Sequence, residues 1–201
     1  MKVTREKAEE NRQNVIETSS RLFREKGFDG VGVSTLMQAA GLTHGGFYKQ
    51  FKSKDDLIAQ ATQVALDQTR ERLSALNDED GRASFETVAR AYLSEWHRDA
   101  IGEGCALAAL GPDVARHGPE LRRVMQRGVE EYLALLEATT AADSPEAARD
   151  RAVVTLATMV GALVLSRAVE NAALSSEILA AATREVLPVA ANGEAGRGKV
   201  Q

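Results

Sequence analysis

The sequence predicts an all-α protein, and three observations point there. Alanine and leucine abound in a chain whose hydrophobic fraction is 44% but whose aromatic fraction is only 4%, a balance that favours helices over strands. Apolar residues recur at intervals of three and four along most of its length. No stretch carries the β-branched, turn-punctuated rhythm of a sheet. At 201 residues the chain is long enough for one or two domains with a substantial core.

A first helix is expected over residues 4–26, with Val15, Ile16, Ser19, Leu22 and Phe23 on one face and Gly27 as its stop. Residues 28–32 connect it to a short second helix whose face is Val33, Leu36, Met37 and Ala40, ended by Gly41. Thr43 is a candidate N-cap that accepts from the N–H of Gly46, opening a third short helix over 43–51 with Phe47 and Phe51 on the same side. Ser53 with Asp56 three residues on resembles a capping box and starts a fourth helix that reaches residue 76. Beyond the polar break at 77–82, helices are expected over 84–99, 105–116 and 119–140, the last with Pro119 at its start. Ser144, Pro145 and Glu146 open another to about residue 170, and Ser175 or Ser176 caps a final one ending before Pro188. The tail at 191–201 is glycine-rich and polar, with disorder expected.

Composition narrows the function classes. The most apolar uncharged run, 152–166, lies between Arg151 and Arg167 and falls short of the ~18 to 20 residues of a membrane span, so a buried helix is expected, with no membrane partner. The charged N-terminus lacks the apolar core of a signal peptide, and a cytoplasmic location follows. The single cysteine, Cys105, has no internal partner, and the three histidines form no ligand cluster, so neither metal nor other cofactor is expected. Net charge is −4, yet residues 1–60 hold ten Lys and Arg against eight Asp and Glu, and 30–54 contain Lys49, Lys52 and Lys54 with no acid at all. A small basic head on an acidic body points to a polyanionic partner for the head.

The third short helix carries two adjacent glycines, Gly45 and Gly46, in its first turn. Each interior glycine costs a helix roughly 1 kcal/mol relative to alanine, so the pair calls for a reason other than stability. Two short helices joined by a glycine turn and leaning on a longer one form a helix-turn-helix. With its N-terminal end in a major groove, such a helix sits deeper where side chains are missing. Tyr48 and Lys49, on the side away from Phe47 and Phe51, are then free to donate to phosphate oxygens, as is Lys54 at the start of the following helix.

Residues 43–51, Thr43-His44-Gly45-Gly46-Phe47-Tyr48-Lys49-Gln50-Phe51, followed by Lys52-Ser53-Lys54-Asp55-Asp56-Leu57, resemble the recognition helix and next-helix entry of the TetR family of bacterial transcriptional repressors. The resemblance covers roughly residues 15–61, and the helical remainder matches that family in size. It departs at two positions: Gly32, often threonine or serine in the family, leaves Ser34 or Thr35 to supply a cap and phosphate contact, and His44 stands where lysine is common. The resemblance implies a three-helix DNA-binding domain at 1–53, a ligand-binding and dimerisation domain at 54–190, and about nine helices. DNA contacts are expected from Ser34, Thr35, Thr43, His44, Gly45, Gly46, Tyr48, Lys49 and Lys54.

Two copies about 34 Å apart are needed to read successive turns of an operator. The resemblance places the homodimer surface on the last two helices, where Leu156, Val160, Leu163 and Val164 form a stripe with Ile178, Leu179, Ala182 and Val186. Periodicity alone shows only that these positions are buried. The middle helices would hold a small hydrophobic or aromatic effector among Tyr92, Trp96, His97, Cys105, Leu110, Met125, Val129 and Tyr132, residue types that also fill ordinary cores. Cys105, at a helix start, is either a thiol sensor for electrophiles or oxidants or a small buried hydrophobe. Three functions follow: an effector-released repressor, a thiol-switched repressor, and, remotely, a hydrolase pairing Cys105 with His97 or His117, for which no third orienting residue is apparent.

Overall fold

Nine α-helices and two 3₁₀ segments, with no strand, make up the described residues, which are 4–76, 84–139 and 143–187 of the computed structural model. The polar break at 77–82 and the tail at 191–201 lie outside them.

The head forms as local signals dictate. Helix α1 (Arg5–Lys26) is capped by Thr4, whose hydroxyl accepts from the Lys7 N–H, and stops at Gly27 with φ of 71°. Helix α2 (Val33–Ala39) has Gly32 at its N-cap, and no side chain caps it, so neither Ser34 nor Thr35 replaces the missing hydroxyl. Its other end is a Schellman turn: Gly41 adopts φ of 73°, its N–H reaches Gln38 O, and Leu42 N–H reaches Met37 O at 2.8 Å. Asn14 ties α1 to this turn by donating to Ala40 O at 2.9 Å.

The glycine-bearing segment departs from the expected α-helix. It is a 3₁₀ helix, His44–Lys49, closed by Gly46 N–H to Thr43 O at 3.0 Å and Gln50 N–H to Phe47 O at 2.9 Å, and the Thr43 hydroxyl makes no capping bond. Two glycines weaken α-helix propagation, and at six residues the segment is longer than most 3₁₀ runs. Helix α3 (Lys54–Ser74) begins as expected: Ser53 Oγ accepts from Asp56 N–H, and the Asp56 carboxylate accepts from Lys52 N–H at 2.9 Å.

In the body, the helix expected over 84–99 is broken into α4 (Phe85–Tyr92) and α5 (Glu95–Asp99). Ser94 caps the second piece by accepting from His97 N–H, while the His97 ring bonds back to Tyr92 O, so the chain turns where a continuous helix would have run on. A 3₁₀ turn (Ile101–Glu103) leads into α6 (Ala106–Arg116), followed by α7 (Pro119–Thr139), α8 (Pro145–Ala168) and α9 (Ala172–Val186). Asn171 caps α9 in place of the expected serines, and Ser175 lies inside the helix, donating to Ser166 O at 2.7 Å.

Helices α3, α6, α7, α8 and α9 enclose the core of the body, with α3 also packed along α1. At the α3–α7 crossing a Cβ on Gly128 would lie 2.6 Å from Leu66 Cδ2, so the glycine sets how closely the two helices approach. Helix α8 is long and apolar enough to cross a membrane by length and composition, but one face, with Leu156, Met159 and Leu163, is packed inside the chain.

Candidate DNA-binding edge and ligand cavity

In a 3₁₀ helix, side chains three apart lie over one another, so Gly45 precedes Tyr48 and Gly46 precedes Lys49 along the same edges. The two glycines differ in surroundings. A Cβ on Gly45 would meet nothing within 4 Å, whereas one on Gly46 would rest 3.5 Å from Met37 Cε. Gly45 is therefore bare toward solvent, and Gly46 is partly fitted against α2. Beneath the edge, Phe47 and Phe51 are buried with ring centroids 5.4 Å apart, and the Arg12 guanidinium lies 5.3 Å from the Phe51 ring centroid. Tyr48 is 70% exposed despite its size, edge-on to Phe47 and His44.

His44, Lys49, Thr43, Ser34 and Thr35 are each exposed as well. Lys54 is different: its ammonium donates to Phe28 O at 2.6 Å, which ties the start of α3 to the turn after α1.

The second feature is a cavity of about 330 Å³ between the C-terminal half of α3, α4 and α5. Tyr92, Trp96 and His97 line it, as expected, together with Thr69, Arg72 and Leu73 from α3. The α3 residues were not anticipated, because their spacing marks a helix face and not what that face looks upon. Leu110 is buried in the core, and Met125 and Val129 pack against that core on α7; none of the three lines the cavity.

Behind the cavity wall is a buried polar cluster. Cys105 is fully buried, and its thiol donates to Tyr132 Oη at 3.9 Å. The thiol also lies beside the buried Tyr92 hydroxyl. Burial, and next the neighbouring Cys105, push both tyrosines well above the ordinary phenol range. The His97 ring accepts from Cys105 N–H through Nε2 at 2.9 Å, so its hydrogen sits on Nδ1 and is donated to Tyr92 O at 2.7 Å. Burial lowers its pKa to about 4, so the ring is neutral at pH 7.

Both nitrogens of His97 are thus engaged with backbone, and neither stands as a base for the thiol. His117 lies at the far end of α6, against the Phe28 ring at 5.0 Å and with Nδ1 2.9 Å from Asp113 O. The hydrolase arrangement is not assembled.

Sequence reasoning missed two of the polar ties that join head to body. Arg24 of α1 is buried and donates to Gly104 O at 2.9 Å, Ser20 O at 3.2 Å and Gln68 Oε1 at 3.2 Å, with its pKa lowered to about 10, chiefly by burial. Asp113 of α6 accepts from Phe28 N–H at 3.1 Å and pairs with Arg116. An arginine in the last turn of a surface helix gives no sequence signal of such a role.

On the expected dimer surface, Leu156, Leu163, Leu179, Ala182 and Val186 are buried within the chain itself, and Val160, Val164 and Ile178 are half-buried. The outward face of the same helices is also apolar: Val153, Val154 (65% exposed) and Leu165 on α8, and Leu174 on α9. Gly161 interrupts this stripe with open space around it. A helix apolar on two sides gives the same periodicity whichever side turns inward.

Comparison with known proteins agrees with this geometry. Residues 15–61 match the family model described as bacterial regulatory proteins, tetR family. The chain is 25% identical over 131 residues to the HTH-type transcriptional repressor NemR of Escherichia coli strain K12, covering 63% of this chain and 65% of NemR. It therefore spans a little under two thirds of the length of that relative. Its fold is that of the E. coli NemR crystal structure in reduced form, with a TM-score of 0.71 and 22% identity over 88% of this chain and 95% of the other. It is likewise similar to a TetR-family transcriptional regulator from Cytophaga hutchinsonii, with a TM-score of 0.74 and 19% identity over 92% and 96% of the two chains.

Proposed function

We propose that this chain, as a member of the tetR family of bacterial regulatory proteins, is a transcriptional repressor. It binds operator DNA as a homodimer and is released by a small hydrophobic or aromatic effector. The observation that carries the DNA-binding role is the edge of the 3₁₀ segment, where nothing surrounds Gly45 while Tyr48 and Lys49 stand exposed on a buried aromatic base.

Supporting the dimer is the outward apolar stripe of Val153, Val154, Leu165 and Leu174 on the last two helices. Supporting the effector site is the cavity lined by Tyr92, Trp96 and His97, next to the Arg24 and Gly104 tie between body and head. An effector acts by binding one arrangement of head and body better than the other.

The test is footprinting of the full chain on the DNA upstream of its own coding sequence, with Gly45→Leu as the paired variant. The wild type protects one site with two half-sites a helical turn apart, and Gly45→Leu folds normally but protects nothing. A Gly45→Leu variant that binds DNA as well as the wild type would remove the main support for the assignment.

A second mode of release is favoured by the setting of Cys105, whose thiol lies beside the hydroxyls of both Tyr92 and Tyr132. The relative NemR has a solved structure of its reduced form. In this reading, modification of the thiol by an electrophile or oxidant releases the DNA. Cys105→Ser then retains footprinting but no longer responds to N-ethylmaleimide; a response that survives the substitution rules the thiol out.

A further inference from the structure

The cavity between α3, α4 and α5 has a cation on its described wall. Among the described residues that line it, Arg72 is the one charged side chain, set among Leu73, Leu76, Ala91 and Trp96 and the polar Thr69, Tyr92, Ser94 and His97. The Arg72 guanidinium donates to Glu103 O and lies over the Trp96 ring at 5.8 Å, so the one charged group is fixed at the wall and cannot swing away without breaking both contacts. His97 contributes no positive charge at neutral pH, because its ring nitrogens are taken by Tyr92 O and Cys105 N–H.

Trp96 is 58% exposed, an unusual position for the only tryptophan in the chain. With Arg72 over the ring, an entering aromatic molecule finds both a flat apolar partner and a planar fork of N–H donors suited to a carboxylate or phenolate. Behind the wall lies the buried Tyr92 hydroxyl, with the Cys105 thiol beside it and the Arg167 guanidinium acting on it. An ammonium entering the same space would be repelled by Arg72, and none of the described lining residues offers it a counter-ion.

We propose that this cavity takes a planar aromatic molecule that is neutral or anionic, that Arg72 meets its anionic end while Trp96 stacks on its ring, and that it excludes organic cations. The proposal rests on the effector-release reading and names the chemical class of the effector.

The experiment titrates the full chain with 2-naphthoate, 2-naphthol and the 2-naphthylmethylammonium ion, which share one bicyclic ring and differ in charge. Binding is followed by calorimetry and by Trp96 emission. Expected is naphthoate tighter than the ammonium by roughly tenfold or more, with naphthol between them. Arg72→Gln lowers naphthoate affinity toward that of naphthol and leaves naphthol unchanged, and Trp96→Phe abolishes the emission change. The proposal is overturned if the ammonium binds as tightly as naphthoate, if Arg72→Gln leaves the order intact, or if none of the three binds. Should Arg72→Gln not fold, the wild-type ranking of the three probes still decides. Footprinting on the same preparation separates the two claims: DNA protection without the charge preference refutes this inference alone, and charge preference without DNA protection refutes the regulator reading alone.

Discussion

Cys105 donates its backbone N–H to the imidazole of His97 at 2.9 Å, a bond that exists only while that nitrogen is unprotonated. The folded chain holds the ring at a pKa of about 4 against an ordinary 6.5, chiefly through burial. The unfolded chain therefore takes up a proton between these values that the folded chain refuses. Stability from this site is complete above pH 6.5 and falls as pH drops toward 4, by up to ~3 kcal/mol. Urea midpoints measured across that window fall for the wild type and are flatter for His97→Gln; equal slopes would mean that His97 is not the group responsible.

Gly27 and Asp113 make a second coupled pair. With φ of 71° at Gly27 and the Asp113 carboxylate 2.8 Å from where a Cβ would stand, Gly27→Ala suffers both backbone strain and a clash. It should lower stability by roughly 1–3 kcal/mol. Asp113→Ala loses the bond to Phe28 N–H and costs about 1–2 kcal/mol. The two changes should combine with less than the sum of their effects, since the second removes the obstacle to the first.

The α3–α7 crossing gives a packing test. Gly128→Ala drives a methyl into Leu66, which is fully buried, and should destabilise by about 1–3 kcal/mol. Leu66→Val in the same chain recovers part of the loss by thermal melting; no recovery would place the strain elsewhere.

For the head, Tyr48→Phe and Lys49→Ala each remove a donor from an exposed side chain and leave the fold unchanged. Affinity should fall about equally for all DNA sequences, and Lys49→Ala should reduce the salt slope by about one. If only one operator variant were affected, these two residues would be reading bases.

For the association of two copies, Val154→Glu and Leu165→Lys place charge on the outward face of α8 and should yield a folded monomer in sedimentation. Leu163→Ala, on the opposite face, should instead lower stability by ~2–5 kcal/mol. The reverse pattern would exchange the roles of the two faces.

What the sequence made legible was set by neighbours close in the chain. Thr4, Ser53 and Gly41 act on backbone groups within a few residues of themselves, so the limits of α1 and the start of α3 could be read directly. The break before α5 could not, because a histidine ring reaching back to Tyr92 O ends a helix whose propensity would carry it on. The choice of Asn171 over Ser175 as a cap has the same origin, since the Ser175 hydroxyl is drawn to Ser166 O on the neighbouring helix. Which apolar side of α8 faces inward, and which face of α3 looks on the cavity, are properties of the assembled helices. Three of the eight residues expected at a ligand site, Tyr92, Trp96 and His97, line the cavity, because aromatic size marks them and location does not need to be exact.

Arg24 has one further implication. Its guanidinium belongs to the first helix, yet its acceptors come from that helix, from α3 and from the loop before α6. A fragment excised after residue 53 would carry that cation into water with two of its three anchoring segments gone. Such a piece should melt broadly and at lower temperature than the intact chain, which should show one sharp calorimetric transition.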